Sequence, residues 1–564
     1  MQINAKSPYV YWSALILASY AVLYRLRAFD KNIFSSWDKI FSTGISELFL
    51  IFLFCLLLSY VVSQAKFELD EKWDSQVLFF GTFLLGALFW SIPELHPDAA
   101  RYFAEAKYLG EFGPASFIRN WGGELNVMSD FPLVPFMYGL IFRFLGESKE
   151  YIQILLTAML ASTSVLTYLI GKMMWSRGTG LYASLFLISS PYLLSYVFML
   201  PTIPLMFFLT ASVFATLNSL DENRGKIWIL ASSIFIILTV LTKASGILLL
   251  SVIPALFLSS YLKTRDRRVL YASASIAMLS GAFISLFVLY KFDVLAGMFP
   301  LITAFKARTA LSSETSLSLI FFQISPIITL LALSSFFNKK DYNYAALMVW
   351  FLVPFIFLYN TRIRFALPLL PAVAIMASLG LHKIQSEKSR NFLAGGIILC
   401  SLSVAVFSYL PFMQAHSEIN IKNAAAFTDS LNTEGVEVYA ILPENFRHDY
   451  EELAVRHRHT IDILIPIFDL YSEKNILTPG YGVGQMPPVV DFTWQYNSPP
   501  PYYSQSAGNQ NAIVLIIPEN VQKIPENLQK RLDDRYELAR VYSPRKFSNR
   551  GGYFVEVYVP VTFI

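Results

Sequence analysis

The chain has 564 residues, of which 55% are hydrophobic and only 15% are charged. A soluble globular domain carries about 25% charged residues, so this composition excludes a soluble protein. The apolar runs are solid and not alternating, which argues against a membrane β-barrel. The two cysteines, Cys55 and Cys400, stand far apart in apolar runs, which argues against a disulfide framework or a cysteine metal site.

Apolar runs long enough to cross a hydrocarbon core of about 30 Å recur from Tyr9 to Pro411. They predict a polytopic α-helical membrane protein with thirteen spans, near 8–25, 44–63, 76–94, 151–171, 179–199, 201–219, 226–241, 244–262, 269–290, 316–337, 343–359, 364–382 and 391–411. The first run lacks a clear small-residue cleavage site and is typical of a signal anchor. The stretch 131–146 is short and contains two prolines, so it is predicted to be a juxtamembrane or re-entrant helix.

Basic loops predict the orientation of the chain, because cytoplasmic loops carry an excess of Lys and Arg. Such loops occur at 262–268, 338–341 and 382–390. We therefore expect a cytoplasmic N-terminus and an outside C-terminus, with a prokaryotic inner or plasma membrane as the setting. Three features then face outside, namely the loop 95–150, the loop 291–315 and the tail 412–564.

The tail is predicted to be an α/β domain on the outer side of the membrane. Strands are predicted at 436–442, 461–468, 512–518 and 553–561. Helices are predicted at 420–431 and 525–539. The stretch 479–511 is rich in Pro, Gly, Tyr, Ser and Asn, so it is predicted to be a long irregular loop.

The stretch "HPDAARYFAEAKY", which starts at His96, places polar side chains directly after an apolar run. Asp98 follows Pro97 and is a good candidate for a helix N-cap. The plain interpretation is a capped helix with polar residues at the membrane edge. The functional interpretation is a carboxylate at the mouth of a membrane cavity, acting as a general base on an attacking hydroxyl or amine.

Several motifs occur in an order that resembles the lipid-phosphate-sugar-dependent glycosyltransferases of the GT-C fold. The nearest resemblance is to the protein O-mannosyltransferases and the lipid A aminoarabinose transferases. The motifs are "PDAARYFAEAKYL" (97–109), "DFPLVPFMYGLIFRFLGES" (130–148), "LTKASG" (241–246) and "RFALPLLPAVAIMASLGL" (364–381). The resemblance covers about 76–411, which would be the catalytic membrane domain, preceded by extra transmembrane helices in 1–75.

The resemblance implies a polyprenyl-phosphate-linked sugar as donor, an inverting reaction, and Asp98 as its catalytic carboxylate. The acceptor would be a lipid, glycan or protein on the outer side, with membrane lipids around the chain and no nucleic acid partner. The substrate-binding residues implied are Arg101, Tyr102, Glu105, Lys243, Lys306, Arg308, Arg362 and Arg364. Guanidinium groups meet phosphate oxygens as a fork, although basic residues that flank spans also serve as snorkelling anchors.

The sequence departs from the family pattern where relatives often carry a second acidic residue. Thr202 stands at that position, and Glu124 or Asp130 are alternative sources of the missing acid. No metal ligands are assigned, although a divalent cation between the lipid phosphate and Asp98 stays an open alternative. The cluster "RHRH" at 456–459 lacks acidic or cysteine partners at ligand spacing and is typical of a solvated face.

Two other functions stay open on the sequence. A flippase or transporter of lipid-linked saccharides is disfavoured, because such proteins commonly show internal repeats and charges within spans. A polymerase or ligase that uses a lipid-diphosphate oligosaccharide would share the outer basic residues but would lack the Asp98 motif.

Overall fold

The fold is given by a computed structural model of the chain. It describes residues 8–30, 37–41, 44–65, 70–92, 97–122, 125, 131–221, 226–297, 323–337, 341–358, 363–416, 419–441, 464–478, 502–503, 510–519, 524–543 and 553–561. Up to residue 429 these residues are mainly helical, and a mixed β-sheet follows.

The helical part follows the apolar runs of the sequence. Its helices are α1 (Pro8–Leu26), α2 (Trp37–Ile40), α3 (Ile45–Gln64), α4 (Asp74–Ala87), α5 (Pro97–Asn120), α6 (Leu133–Leu145), α7 (Lys149–Met174), α8 (Arg177–Ile188), α9 (Pro191–Leu194), α10 (Thr202–Ser219), α11 (Ile227–Thr242), α12 (Gly246–Leu249), α13 (Val252–Thr264), α14 (Arg267–Tyr290), α15 (Pro326–Ser334), α16 (Tyr342–Leu358), α17 (Leu370–Leu381), α18 (Glu387–Val404), α19 (Leu410–His416) and α20 (Ile419–Asp429). A 3₁₀ segment (Ile363–Leu369) leads into α17, and a π-helical turn (Ala405–Tyr409) joins α18 to α19.

Seven helical stretches in the described part of the chain are long and apolar enough to cross a membrane. The outermost of them carry exposed apolar side chains, such as Leu50, Phe54 and Leu57 on α3, whereas Thr202–Ser219 and Arg364–Leu381 are largely buried among other helices. Lipid tails are as apolar as Leu, so such a face is stable against the bilayer. The predicted polytopic helical membrane protein is confirmed, whereas the number of thirteen spans stays a prediction.

The span predicted at 179–199 is wrong as a continuous helix. Helix α8 ends at Ile188, and residues 189–201 form an irregular, fully buried segment that contains the single turn α9. The Ser189–Ser190–Pro191 sequence explains the break, since proline cannot continue a preceding helix. Non-helical backbone is tolerated at membrane depth when it is buried in protein. Here the Tyr138 hydroxyl of α6 donates to the Leu200 carbonyl at 3.1 Å.

The helix predicted at 131–146 is present as α6, which packs across α5. Its 13 residues extend about 20 Å, which is too short to cross a hydrocarbon core of about 30 Å. The crossing is close, because a Cβ placed on Gly139 would lie 2.9 Å from the Ala106 carbonyl oxygen. Helix α5 itself kinks at Gly113, where φ is +84°, immediately before Pro114.

The C-terminal part forms a five-stranded sheet in the order β2–β1–β3–β5–β4. Strands β1, β2 and β3 are parallel, and β5 pairs antiparallel with both β3 and β4. The elements that follow α20 are β1 (Gly435–Ala440), α21 (Leu464–Tyr471), β2 (Asn475–Leu477), β3 (Ala512–Pro518), α22 (Glu526–Arg535), β4 (Tyr536–Tyr542) and β5 (Tyr553–Pro560). The predicted C-terminal α/β region is confirmed, and the domain boundaries stay predictions.

Two element predictions in this region are wrong. The described part of the strand predicted at 461–468 belongs to helix α21, whose residues 464–470 are all buried. A short apolar run fits a buried helix as well as a buried strand, so its composition did not decide between them. The helix predicted at 525–539 ends at Arg535 as α22, and the chain turns directly into β4.

Candidate functional site

Helix α5 carries the polar motif that follows the first apolar runs. It begins at Pro97, so Asp98 lies in the first helical turn and not at the predicted cap position. At about 100° per residue, positions 98, 101, 102 and 105 fall on one face of the helix. The side chains of Pro97 and Asp98 lie outside the described residues. The backbone therefore places Asp98 in register with Arg101, Tyr102 and Glu105.

Arg101, Tyr102 and Glu105 form a buried cluster on this face. Arg101 is 3% exposed and Glu105 is 6% exposed, and Nε of Arg101 lies 3.5 Å from Oε1 of Glu105. The Arg101 guanidinium carbon lies 4.7 Å from the centroid of the Tyr102 ring. A buried ion pair is costly unless both partners stay together. The cluster therefore holds one positive and one negative group at a fixed position beside Asp98.

A second cationic cluster lies where α11 ends and the 3₁₀ segment begins. The Lys243 ammonium lies 4.4 Å from the Phe365 ring centroid, and the Arg364 guanidinium carbon lies 5.4 Å from the same centroid. Arg364 is only 7% exposed. The 3₁₀ segment packs against α10, whose first residue is the buried Thr202. The structure thus brings Lys243 and Arg364 to one aromatic ring. The two residues are far apart in the sequence, which did not indicate that they are neighbours.

Several predicted residues cannot be placed. Lys306, Arg308 and Arg362 lie outside the described residues, as do the alternative acids Glu124 and Asp130 and the basic cluster 456–459. Within the described residues, no group of three or more His, Cys, Asp or Glu side chains could hold a metal ion.

A polar cluster that the sequence did not predict lies around Lys107 of α5. Its ammonium contacts both carboxylate oxygens of Asp469 on α21, at 2.8 and 2.9 Å, and Oε1 of Glu147 at 3.2 Å. The Tyr503 hydroxyl donates to Oδ2 of Asp469 at 2.7 Å. Partial burial, together with repulsion from Asp469, raises the pKa of Glu147 to about 7. Burial lowers the pKa of Lys107, but attraction to Asp469 and Glu147 outweighs this and raises it overall.

Two further lysines hold the backbone at the two ends of α5. Lys149 donates to the Ile92 carbonyl at 2.7 Å, just before the helix, and to the Tyr471 hydroxyl at 3.1 Å. Lys291 donates to the carbonyls of Arg119 and Trp121, both at 3.0 Å, where the helix ends. Both lysines are buried. Ammonium groups thus bind before α5, at its middle and at its end, and of these Lys149 and Lys291 are buried and Lys107 is partly buried.

The architecture defines the class of protein: a polytopic helical membrane protein with the GT-C fold. The resemblance predicted from the sequence motifs is confirmed. Residues 129–291 match the family model for dolichyl-phosphate-mannose-protein mannosyltransferase. No curated protein matches the sequence.

Among solved structures, the chain is similar to ArnT from Cupriavidus metallidurans bound to undecaprenyl phosphate. The TM-score is 0.52 at 11% identity, and the similarity covers 92% of this chain and 99% of that one. The apo state of the same ArnT gives a TM-score of 0.50 at 12% identity, with 92% and 98% covered. A weaker likeness, with a TM-score of 0.44 at 10% identity, is to the archaeal oligosaccharyltransferase AglB from Archaeoglobus fulgidus.

Proposed function

We propose that this chain is a membrane glycosyltransferase that moves a sugar from a polyprenyl-phosphate carrier to an acceptor outside the cytoplasm. The observation that carries the proposal is the match to ArnT, which spans nearly the whole of both chains and was solved with undecaprenyl phosphate bound. The match of 129–291 to a mannosyltransferase family model supports the same reaction class.

Asp98 acts as the general base in this proposal. It accepts the proton of the acceptor hydroxyl or amine as that group attacks the anomeric carbon of the donor sugar. The new glycosidic bond forms while the bond between the sugar and the phosphate oxygen breaks. The carrier leaves as a polyprenyl monophosphate, and attack opposite the leaving group inverts the anomeric centre. The buried Arg101–Glu105 pair supports this role by placing charged side chains on the face of α5 that also carries position 98.

The leaving phosphate gains negative charge as its bond to the sugar breaks, so cations beside it stabilise the transition state. Lys243 and Arg364 are suited to this task, because both are cations held at the ring of Phe365. Lys306, Arg308 and Arg362 are further phosphate ligands in the proposal. The outward position of the site and the cytoplasmic N-terminus follow from the predicted topology.

The test is transfer from radiolabelled polyprenyl-phosphate sugars in membranes that carry wild type, Asp98→Asn, Arg364→Gln or Glu111→Gln. Glu111 is a matched control, because it is an exposed acid on the same helix. We expect Asp98→Asn to lose about 10²–10⁴-fold in kcat while it still binds the carrier. Arg364→Gln should lower kcat and weaken carrier binding, and Glu111→Gln should match wild type.

Other outcomes would redirect the assignment. Equal transfer by wild type and Asp98→Asn would reduce Asp98 to a structural residue of the first helical turn. Movement of the intact labelled carrier across the membrane, without sugar transfer, would favour the flippase. Transfer from diphosphate-linked oligosaccharides alone would favour a polymerase or ligase.

A further inference from the structure

The side of α5 opposite the face of residues 98, 101, 102 and 105 packs against the C-terminal domain. At about 100° per residue, position 107 lies about 180° around the helix from position 98, and positions 100 and 104 lie about 20° and about 60° from position 107. Ala100 belongs to the hydrophobic core of the C-terminal domain, together with Val436 and Val514 of the sheet. Helix α21 of that domain packs directly on α5. The helix is therefore held between the membrane helices and the sheet domain.

Polar contacts join the C-terminal domain to α5 at two points and to the start of α7 at a third. Asp469 of α21 is 2% exposed and binds the Lys107 ammonium through both of its oxygens. The Tyr502 hydroxyl donates to the Ala104 carbonyl at 3.2 Å, one residue before Glu105. Tyr471, the last residue of α21, accepts from Lys149.

Three aromatic rings lie around the Lys107 ammonium and strengthen its contact with Asp469. The ammonium lies 5.6 and 5.8 Å from the ring centroids of Tyr502 and Tyr503, and 5.7 Å from that of Phe103. Rings at this distance favour a cation electrostatically, and the Asp469 side chain that binds it is only 1% exposed. In such surroundings a carboxylate without its ammonium partner is strongly disfavoured. The pair therefore holds α5 against α21 in one register.

We propose that Asp469 is a positioning residue of the transfer reaction. Through Lys107 it fixes the rotation and height of α5, and thereby the place of Asp98, so that the C-terminal domain is part of the catalytic unit. This inference rests on the proposed function for its kinetic consequence. Its structural consequence, the ordering of α5 by Asp469, can be measured independently of any sugar transfer.

The experiment uses the full-length protein in detergent or membranes, with Asp469→Asn, Lys107→Met, the double variant and Asp533→Asn. Asp533 is the matched control, because it is an exposed acid in the same domain. Each variant is measured by backbone hydrogen exchange and by the kcat and KM of sugar transfer. We expect Asp469→Asn to speed exchange in residues 99–112 while exchange in β1 and β3 stays as in wild type.

The kinetic expectation is a fall in kcat of about 10- to 100-fold with an unchanged donor KM, since a displacement of about 1 Å costs this much. The double variant should be no worse than either single variant, because each single change removes the same contact. Asp533→Asn should match wild type in both measurements.

The proposal is overturned if exchange in 99–112 and kcat are both unchanged in Asp469→Asn. It is also overturned if exchange rises equally throughout β1 and β3, since Asp469 would then stabilise its own domain and not α5. If wild type transfers no sugar from any carrier, the proposed function fails instead, and hydrogen exchange alone decides whether Asp469 orders α5.

Discussion

The substitution Gly139→Ala tests whether α5 and α6 cross as closely as the structure shows. The new Cβ would lie 2.5 Å from the Leu109 Cβ and 2.9 Å from the Ala106 carbonyl oxygen. One of these atoms belongs to the backbone of α5, so relief requires the two helices to separate. Overpacking of this kind costs about 1–3 kcal/mol. Gly281→Ala in α14 is the matched control, because no atom lies within 4 Å of its added Cβ.

The measurement is the half-life of both variants during thermal inactivation in detergent. Ala is favoured over Gly inside a helix by about 0.5–1 kcal/mol, so Gly281→Ala should match or outlast wild type. Gly139→Ala should inactivate faster, by about tenfold for each 1.4 kcal/mol that the packed state loses. A half-life of Gly139→Ala equal to that of Gly281→Ala would refute the close crossing of the two helices.

Two further predictions concern charged groups away from the motif. Asp74 is fully buried and accepts from Nε and Nη2 of Arg177 at 2.7 and 2.8 Å and from the Tyr168 hydroxyl at 2.7 Å. Asp74→Asn should destabilise the protein by about 3 kcal/mol. Asp70→Asn, at an exposed ion pair with Lys72, should leave the melting temperature unchanged. Equal melting temperatures of the two variants would contradict this prediction. For Glu147, a folded pKa of about 7 lies above the unfolded value of about 4.3, so stability is lost as the pH rises between them. Thermal melts from pH 4 to 8 should show wild type losing stability relative to Glu147→Gln up to about pH 7, and parallel curves would disprove the raised pKa.

Much of the helical architecture could be predicted because its signal is local. Apolar runs of span length and the two-proline stretch before α6 are visible in short windows of sequence. The shared face of positions 98, 101, 102 and 105 follows from helical periodicity alone. The role of Asp98 as base, in contrast, still rests on the resemblance and stays a prediction.

The rest could not be predicted because it depends on distant partners. Lys107 stands near the end of the quoted motif, yet its partner Asp469 is 362 residues away. Helix α21 could not be predicted for the same reason. Its short apolar sequence fits a buried strand as well as a buried helix, so the local sequence did not decide between them. The buried segment 189–201 was hidden for another reason, since it contains no charged residue and directly continues the apolar run of α8.

That buried segment also constrains how the protein is made. Helix α8 extends about 18 Å, so it and the irregular backbone after it cannot rest in lipid as an independent hairpin. The partners that cover the segment are synthesised much later: the Gln323 carbonyl accepts from Ser190, and the Tyr409 ring lies 6.4 Å from that of Tyr192. The cover of this segment is therefore complete only after residues 323 and 409 have been synthesised and packed against it. The final packing of the early helices thus depends on sequence that follows them by more than 130 residues.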